Sequence, residues 1–358
     1  MSKIRIISLI LVLFFFITSC KQENKNKIKE DVDVTGIKPA GCQTNSTNDF
    51  YDDGDSKKIP VSKLTVKGEV EKSYVVDFSK LPTYKVLLAE AQMNDSSFVG
   101  AYEYSGYSLH DILDKAKIKK KNIHDFRPIV DLYVEVRNSR GETVIFSWGE
   151  IFYPTDRNKV IIANKVTRIV PKKTKMQWKF PEKSKIIAGC DFFPVRNIEN
   201  PTEIIIHSLD DFYTVNRTIK MQADTIKIKE KDKLIKAISE LPNDLHKADV
   251  SSVFYGKGLG FHGIKNFKGA YLKDFLQGYF SVDKEKMQKG MFVIVGIDGY
   301  RAAFTFAEVM NRNDFKEFIL IDKYNYEKAG KFSVFAPADF FSDRAIKSVK
   351  EIKFYNVQ

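Results

Sequence analysis

Short apolar runs alternate with polar, turn-rich breaks along this chain, and the pattern occurs twice. Leu64-Thr-Val-Lys-Gly68-Glu-Val70 reads as an opening strand, and Thr225-Ile-Lys-Ile228 reads as its counterpart. A Ser-x-Leu-Pro segment follows in each, ending at Pro82 and Pro242. Proline after leucine predicts a short helix that stops there. Tyr104-Ser-Gly106-Tyr-Ser-Leu109-His-Asp111-Ile-Leu113 is then answered, 163 residues later, by Phe267-Lys-Gly269-Ala-Tyr-Leu272-Lys-Asp274-Phe-Leu276. Both predict a glycine turn followed by a short helix with its leucines on one face.

A hairpin comes next in each copy. Met291 to Ile297 and Tyr300 to Phe304 flank Asp298-Gly299, a two-residue turn signal whose positions favour positive φ. The first copy has Val130 to Val136, a looser turn at Asn138 to Gly141, and Glu142 to Phe146. Each return strand runs into a capping box, Ser147-Trp-Gly-Glu150 and Thr305-Phe-Ala-Glu308, and then into a strand that reads as buried. Asp191-Phe-Phe-Pro-Val-Arg196 matches Asp339-Phe-Phe-Ser-Asp-Arg344, and the closing strands follow at Glu203 to Ile206 and Glu351 to Phe354. Aspartate and arginine five apart predict a structural ion pair beside the last strand of each copy. Fixed order over this length makes the chain a tandem duplication.

Between Lys165 and Lys185 the first copy carries an insert with Trp178 and a concentration of lysine and arginine. It reads either as a solvated loop or as a grip for an anionic partner, with Trp178 stacking on a ring. The 358 residues suffice for two ordinary cores, and 28 Phe with 16 Tyr fit β-rich packing. Net charge is +12; losing Lys3 and Arg5 with a signal peptide leaves about +10. That balance favours anionic partners, but no nucleic-acid motif accompanies the lysines, so nucleic acid is not expected as a partner.

At the N-terminus, Lys3 and Arg5 precede an apolar run from Ile6 to Thr18, too short for a comfortable span and of signal-peptide size. Ile17-Thr18-Ser19-Cys20 resembles the lipobox of bacterial lipoproteins. That resemblance implies lipidation of Cys20 and, with Lys21 next, sorting to the outer membrane. Acyl chains on Cys20 would give stable attachment. The polar stretch from Lys21 to Lys58 reads as a tether spanning roughly 35 Å on average. Cys42 in the tether and Cys190 are either a disulfide or two unrelated thiols.

Taken together, Val66 to Gly68, Leu81-Pro82, Tyr104 to Leu113, Phe267 to Leu276, Asp298-Gly299-Tyr300 and the two terminal segments resemble the sulfite-oxidase-type molybdopterin-binding domain, once per copy. The resemblance implies an α+β fold: a tandem repeat of two such domains with mixed β-sheets and short helices. The expected organisation is a signal peptide at 1–19, a tether at 20–58, and domains at 59–215 and 216–358. In family members that do chemistry, a cysteine between the Leu-Pro segment and the aromatic-x-Gly motif ligates molybdenum. Thr83 to Ala101 and Asn243 to Lys265 contain no cysteine, so molybdenum redox chemistry by that route is not expected.

No other catalytic set replaces it. The five histidines, His110, His124, His207, His246 and His262, show no metal-ligand spacing, and no G-x-S-x-G or P-loop is present. Tyr255-Gly-Lys-Gly-Leu-Gly260-Phe-His262 is glycine-rich, and its amides with Lys257 and His262 are candidates for holding an anion; a flexible turn is the plainer reading. Three functions follow. The first is a non-catalytic binding or assembly lipoprotein without cofactor, whose partner is an anionic small molecule or another envelope protein. The second is an oxidoreductase that keeps a molybdopterin-type cofactor without the usual cysteine. The third is a transport-associated lipoprotein that captures an anionic small molecule.

Overall fold

Alternation of apolar and polar residues becomes β-structure along most of the chain. The computed structural model describes residues 52–171, 173–322 and 329–357. Strands of the first copy are β1 (Asp52–Lys58), β2 (Thr65–Gly68), β3 (Tyr74–Val75), β4 (Tyr84–Ala91), β5 (Phe98–Ser108), β6 (Leu132–Asn138), β7 (Thr143–Ser147), β8 (Val160–Val170), β9 (Ile186–Ala188) and β10 (Pro201–Ser208). The second copy begins with β11 (Ile226–Glu230), β12 (Lys233–Ile238), β13 (Lys247–Gly256) and β14 (Gly260–Tyr271). It continues with β15 (Gly290–Gly296), β16 (Arg301–Thr305), β17 (Ile319–Asp322), β18 (Phe332–Phe335) and β19 (Val349–Asn356). Helices are short: α1 (Leu109–Leu113), α2 (Trp148–Phe152), α3 (Leu272–Gln277), α4 (Lys284–Lys289) and α5 (Phe306–Met310).

The two copies match sheet for sheet. The order β3-β2-β10-β6-β7 in the first is answered by β12-β11-β19-β15-β16 in the second. In both, the opening strand lies parallel to the closing strand, β2 to β10 and β11 to β19. This pairing is what ties the beginning of each copy to its end. The remaining sheets are β1-β8-β5-β4, with β9 beside β8, and β13-β14-β17-β18. β1 lies within the segment read as a tether, and it pairs antiparallel with β8. One apolar core draws on both copies, including Leu109, Phe146 and Trp148 from the first and Leu272, Phe304 and Phe306 from the second.

These findings correct the expected α+β, sulfite-oxidase-like molybdopterin-binding fold. The chain is mostly β, with 45% strand and 12% helix, and its four small sheets take a four-bladed propeller arrangement. The physical reason lies in segments that read as helices or turns but serve as strand ends. The Leu-Pro segment of the first copy is a single 3-10 turn at Phe78–Lys80, while Ile238 still belongs to β12. The aromatic-x-Gly motif is not a turn at all, since Tyr104 to Gly106 lies inside β5 and Phe267 to Gly269 inside β14. A Cβ on Gly106 would sit 2.2 Å from the Ile162 carbonyl oxygen, and one on Gly269 would sit 2.3 Å from that of Leu320. The repeated glycine therefore lets β5 and β14 press against β8 and β17. α1 and α3 start where these strands stop, and they bury Leu109, Leu113, Leu272 and Leu276.

The helix-start expectations hold. Ser108 caps α1 through the Asp111 amide at 3.0 Å, while Tyr271 gives α3 no side-chain cap. Both capping boxes form, Ser147 with Glu150 and Thr305 with Glu308. The Asp298-Gly299 turn is wider than the two-residue form. The Gly299 amide donates to the Gly296 carbonyl at 3.0 Å, and Gly299 takes φ +81°.

Gly106→Ala and Gly269→Ala should each lower stability by about 1–3 kcal/mol or more, because backbone must move to admit the methyl group. Urea midpoints are the measurement. Gly258→Ala, where a Cβ meets nothing within 4 Å, should shift the midpoint far less.

Candidate functional site

A large cleft lies in the second copy, beneath the hairpin formed by β13 and β14. It measures about 860 Å³. Its apolar bed is aromatic because strand alternation points Phe254 and Phe267 inward, where they meet Phe335 of β18. The Phe267 and Phe335 rings stack with centroids 3.8 Å apart, and Phe254 stands 5.7 Å from Phe267. Arg217, Lys265, Lys347 and His262 bring basic groups to the lining, where Asp343 is the one carboxylate among the described residues.

The glycine-rich stretch meets the cleft in part. His262 lines it, with its ring 5.8 Å from Phe254. Lys257 is exposed and its side chain is not in the lining. Its backbone amide donates to Asp343 Oδ2 at 3.1 Å, so that amide already has an acceptor. Arg217 and Lys347 escaped notice in the sequence because neither lies near the glycines. Arg217 is in the connection between copies, and Lys347 lies two residues before β19. Topology alone joins them. The inward pair Phe254 and Phe267 was the signal the sequence did offer.

What holds the cleft wall is a 3-10 turn, Ser342–Arg344. The Ser342 hydroxyl donates to the Tyr255 carbonyl at 3.0 Å, and the Tyr300 hydroxyl donates to the Asp343 carbonyl at 2.7 Å. Burial pushes the Tyr300 phenol well above its ordinary pKa, so it remains a donor at physiological pH. The next residue, Arg344, is fully buried. Its Nε and Nη2 donate to the two oxygens of Asp339 at 2.7 Å each, and Nη1 reaches Glu308.

Arg196 repeats this arrangement in the first copy, donating to Asp191 at 2.8 and 2.6 Å and to Glu150 at 3.0 Å. The predicted Asp–Arg pairs thus form in both copies. Ser147 donates to Glu308 at 2.7 Å, and Thr305 donates to Glu150 at 3.0 Å. Each capping hydroxyl therefore serves the capping carboxylate of the other copy. Burial alone would lower the guanidinium pKa values, but the facing carboxylates outweigh it and raise both. Burial also raises Asp339, and it raises Glu150 to about 7, with Arg196 opposing the shift and Glu308 adding to it.

The other sequence candidates are dispersed. Trp178 is half-buried; its indole N–H donates to the Ala101 carbonyl at 2.8 Å, and its ring meets Phe98 edge-on at 5.2 Å. It fastens the insert to the first copy's outer sheet. His110 pairs with Asp111, His207 with Glu135 and His246 with Asp274, each in a different place. Among the described residues no group of three or more His, Cys, Asp or Glu is arranged to hold a metal ion. Cys190 is a half-buried thiol that burial pushes up to about 11. Cys20 and Cys42 lie outside the described residues. No described helix is long and apolar enough to cross a membrane.

A carboxyl group whose folded pKa lies above its unfolded value holds its proton in the native state after the unfolded chain has lost it. Stability from Glu150 is therefore greatest at low pH and declines as pH rises from about 4.5 to about 7. Melting temperature against pH should show this decline, and Glu150→Gln should flatten it within that window. Arg344→Met, which strands two buried carboxylates, should cost about 3–5 kcal/mol at neutral pH. No protein-family model matches this chain, and no curated protein matches it significantly.

Proposed function

We propose that this protein is a lipid-anchored protein of the bacterial envelope, held through Cys20 at the outer membrane. It acts as a non-catalytic binding module whose second copy takes a small anionic amphiphile. One observation carries the reading: a cleft of about 860 Å³ with an aromatic bed and a lining in which, among the described residues, Arg217, Lys265 and Lys347 outnumber the one carboxylate. Such a site favours an apolar or ring-bearing body with a negative group at one end. Binding is favoured over catalysis because Ser342, the hydroxyl nearest to Asp343 in sequence, donates to a backbone carbonyl. A poised nucleophile would instead face a base. The signal-sized apolar run and Ile17-Thr18-Ser19-Cys20 support the anchor.

Anilinonaphthalene sulfonate, a fluorescent aromatic anion, is a direct probe of the cleft. It should bind saturably and one-to-one, and its affinity should fall about tenfold or more when Arg217→Ala is combined with Lys347→Ala. Phenylnaphthylamine, which lacks the sulfonate, should bind weakly and ignore both substitutions. Unsaturable fluorescence, or affinity indifferent to the double variant, would sink the reading. The anchor has its own readout. Labelled palmitate fed to the producing cells should enter the wild-type chain and be absent from Cys20→Ser. Equal labelling of the two would refute lipidation at Cys20.

A further inference from the structure

Among the described residues, the hairpin above the cleft runs as a two-stranded ribbon beyond its last pairing with β17. β13 and β14 pair from Lys247–Ala270 to Gly256–Gly260, but β14 meets β17 only at Ala270 and Tyr271. From Gly260 to Gly269, therefore, the outer edge of β14 has no strand beside it among the described residues. β13 is itself the end strand of the sheet. Natural proteins usually shorten, charge or cover such edges.

This ribbon is instead decorated with apolar side chains. Val253 and Ile264 sit opposite each other across the strands and are 59% and 74% exposed. At the tip, Leu259 is 85% exposed and Phe261 is 63% exposed. Isolated exposed apolar residues need no explanation, but four on one projecting element do. Charge sorts the possible occupants. Between Val250 and Asn266 there is no aspartate or glutamate, while Lys257, Lys265 and His262 are all present. An apolar tip flanked by cations and free of acid suits the boundary of an anionic bilayer, where apolar groups enter the acyl region and lysines meet headgroup phosphates.

The first copy provides an internal contrast. Its counterpart hairpin, β4 with β5, carries Asp95 at the tip, and Asp95 accepts the Ser97 amide at 2.9 Å. β5 is paired with β8 from Tyr102 to Ser108, and Trp178 packs on its outer part. The first copy's ribbon is paired with β8 over its lower part and has an acidic tip, although Leu87, Phe98 and Val99 are exposed on it. The second, among the described residues, lacks a flanking strand over most of its length and has an apolar, cationic tip.

We propose that the β13–β14 ribbon is a membrane-docking element, inserting Leu259 and Phe261 into the headgroup boundary of an anionic phospholipid bilayer. The inference goes beyond the cleft's ligand and does not depend on it. It also gives a position to the cleft, since Leu259, His262 and Lys265 belong both to the ribbon and to the cleft lining. Docking would hold the cleft's mouth at the lipid surface.

The test uses the chain from residue 20 onward carrying Cys20→Ser, so that no acyl chain contributes, mixed with vesicles and sedimented. Vesicles containing phosphatidylglycerol should retain the protein, pure phosphatidylcholine vesicles should not, and high salt should release it. Leu259→Ser with Phe261→Ser should weaken partitioning about tenfold or more without moving the melting temperature, because both side chains are exposed. Lys257→Gln should reduce the preference for anionic vesicles. Phe315→Ser, at an exposed phenylalanine outside the ribbon, should change nothing. Absence of binding to anionic vesicles, or binding unaffected by the tip variant, would overturn the proposal. So would a soluble oligomer that dissociates when Leu259 and Phe261 are replaced, which would make the ribbon a protein–protein face. Phe261→Ser alone, at a position outside the cleft lining, should keep the cleft's sulfonate probe while losing vesicle affinity, which separates docking from ligand binding.

Discussion

Two helix-capping boxes trade partners at the centre of this molecule, and the relation between the two copies depends on that exchange. Ser147 and Thr305 each cap their own helix and also donate across the duplication, to Glu308 and Glu150. Arg196 and Arg344 then bind those glutamates together with Asp191 and Asp339. Two guanidinium groups thus face four buried carboxylates. Such a cluster adds little net stability over a well-packed apolar alternative, but removing any one charge is costly. Its strength is in specification. Arginine forks, hydroxyls and carboxylates are satisfied together only when the two copies meet in one register, whereas apolar surfaces of similar size tolerate sliding.

From this cluster the geometry passes outward to the cleft along a few bonds. Arg344 is fixed by Asp339 and Glu308, and its neighbours Ser342 and Asp343 are thereby held at the cleft wall. Tyr300 locks the Asp343 carbonyl, Ser342 locks Tyr255, and the Lys257 amide reaches the Asp343 carboxylate. These last two bonds are tertiary ties between the ribbon's tip and the rest of the second copy. The cleft therefore has a rigid wall set by buried charge and a ribbon roof that, among the described residues, lacks a third strand over most of its length. Rigid on one side and lightly held on the other is a suitable arrangement for admitting a ligand.

Much of the local structure was legible in the sequence, and the reason is physical. Capping boxes, the Asp–Arg spacing, the hairpins and the closing strands rest on contacts between residues close in the chain, and the duplication doubled each signal. Misreadings arose where a local signal had two structural uses. A leucine pair four apart fits a helix of any length, and here α1 and α3 span only one or two turns. Glycine after an aromatic residue fits a turn, but Gly106 and Gly269 instead allow strand backbones to approach closely. Those ambiguous segments were among the carriers of the sulfite-oxidase-type resemblance, and it was that resemblance which implied α+β for a β-rich fold. The exchange between capping boxes had no local signature, because its partners lie 155 and 161 residues apart. Arg217 and Lys347 were likewise invisible as cleft residues, since their only relation to Phe254 is through the completed sheet order.

Duplication also explains why one copy can carry a site that the other lacks. Both copies supply the same inner sheet, with matching strand order and parallel closure, and both contribute half of the buried charge cluster. Changes to those parts would disturb the partner copy as well. The outer sheets carry no such mutual obligation. In the first copy, β1 and the insert around Trp178 cover the outer sheet, and Phe180 lies under Arg168 at 4.2 Å. In the second copy no described residue covers that space, and Phe254, Phe267 and Phe335 line a cleft. The inner sheets are thus constrained by each other, and the difference between the copies falls to the outer ribbon of the second, which carries no acid between Val250 and Asn266 and has an apolar tip.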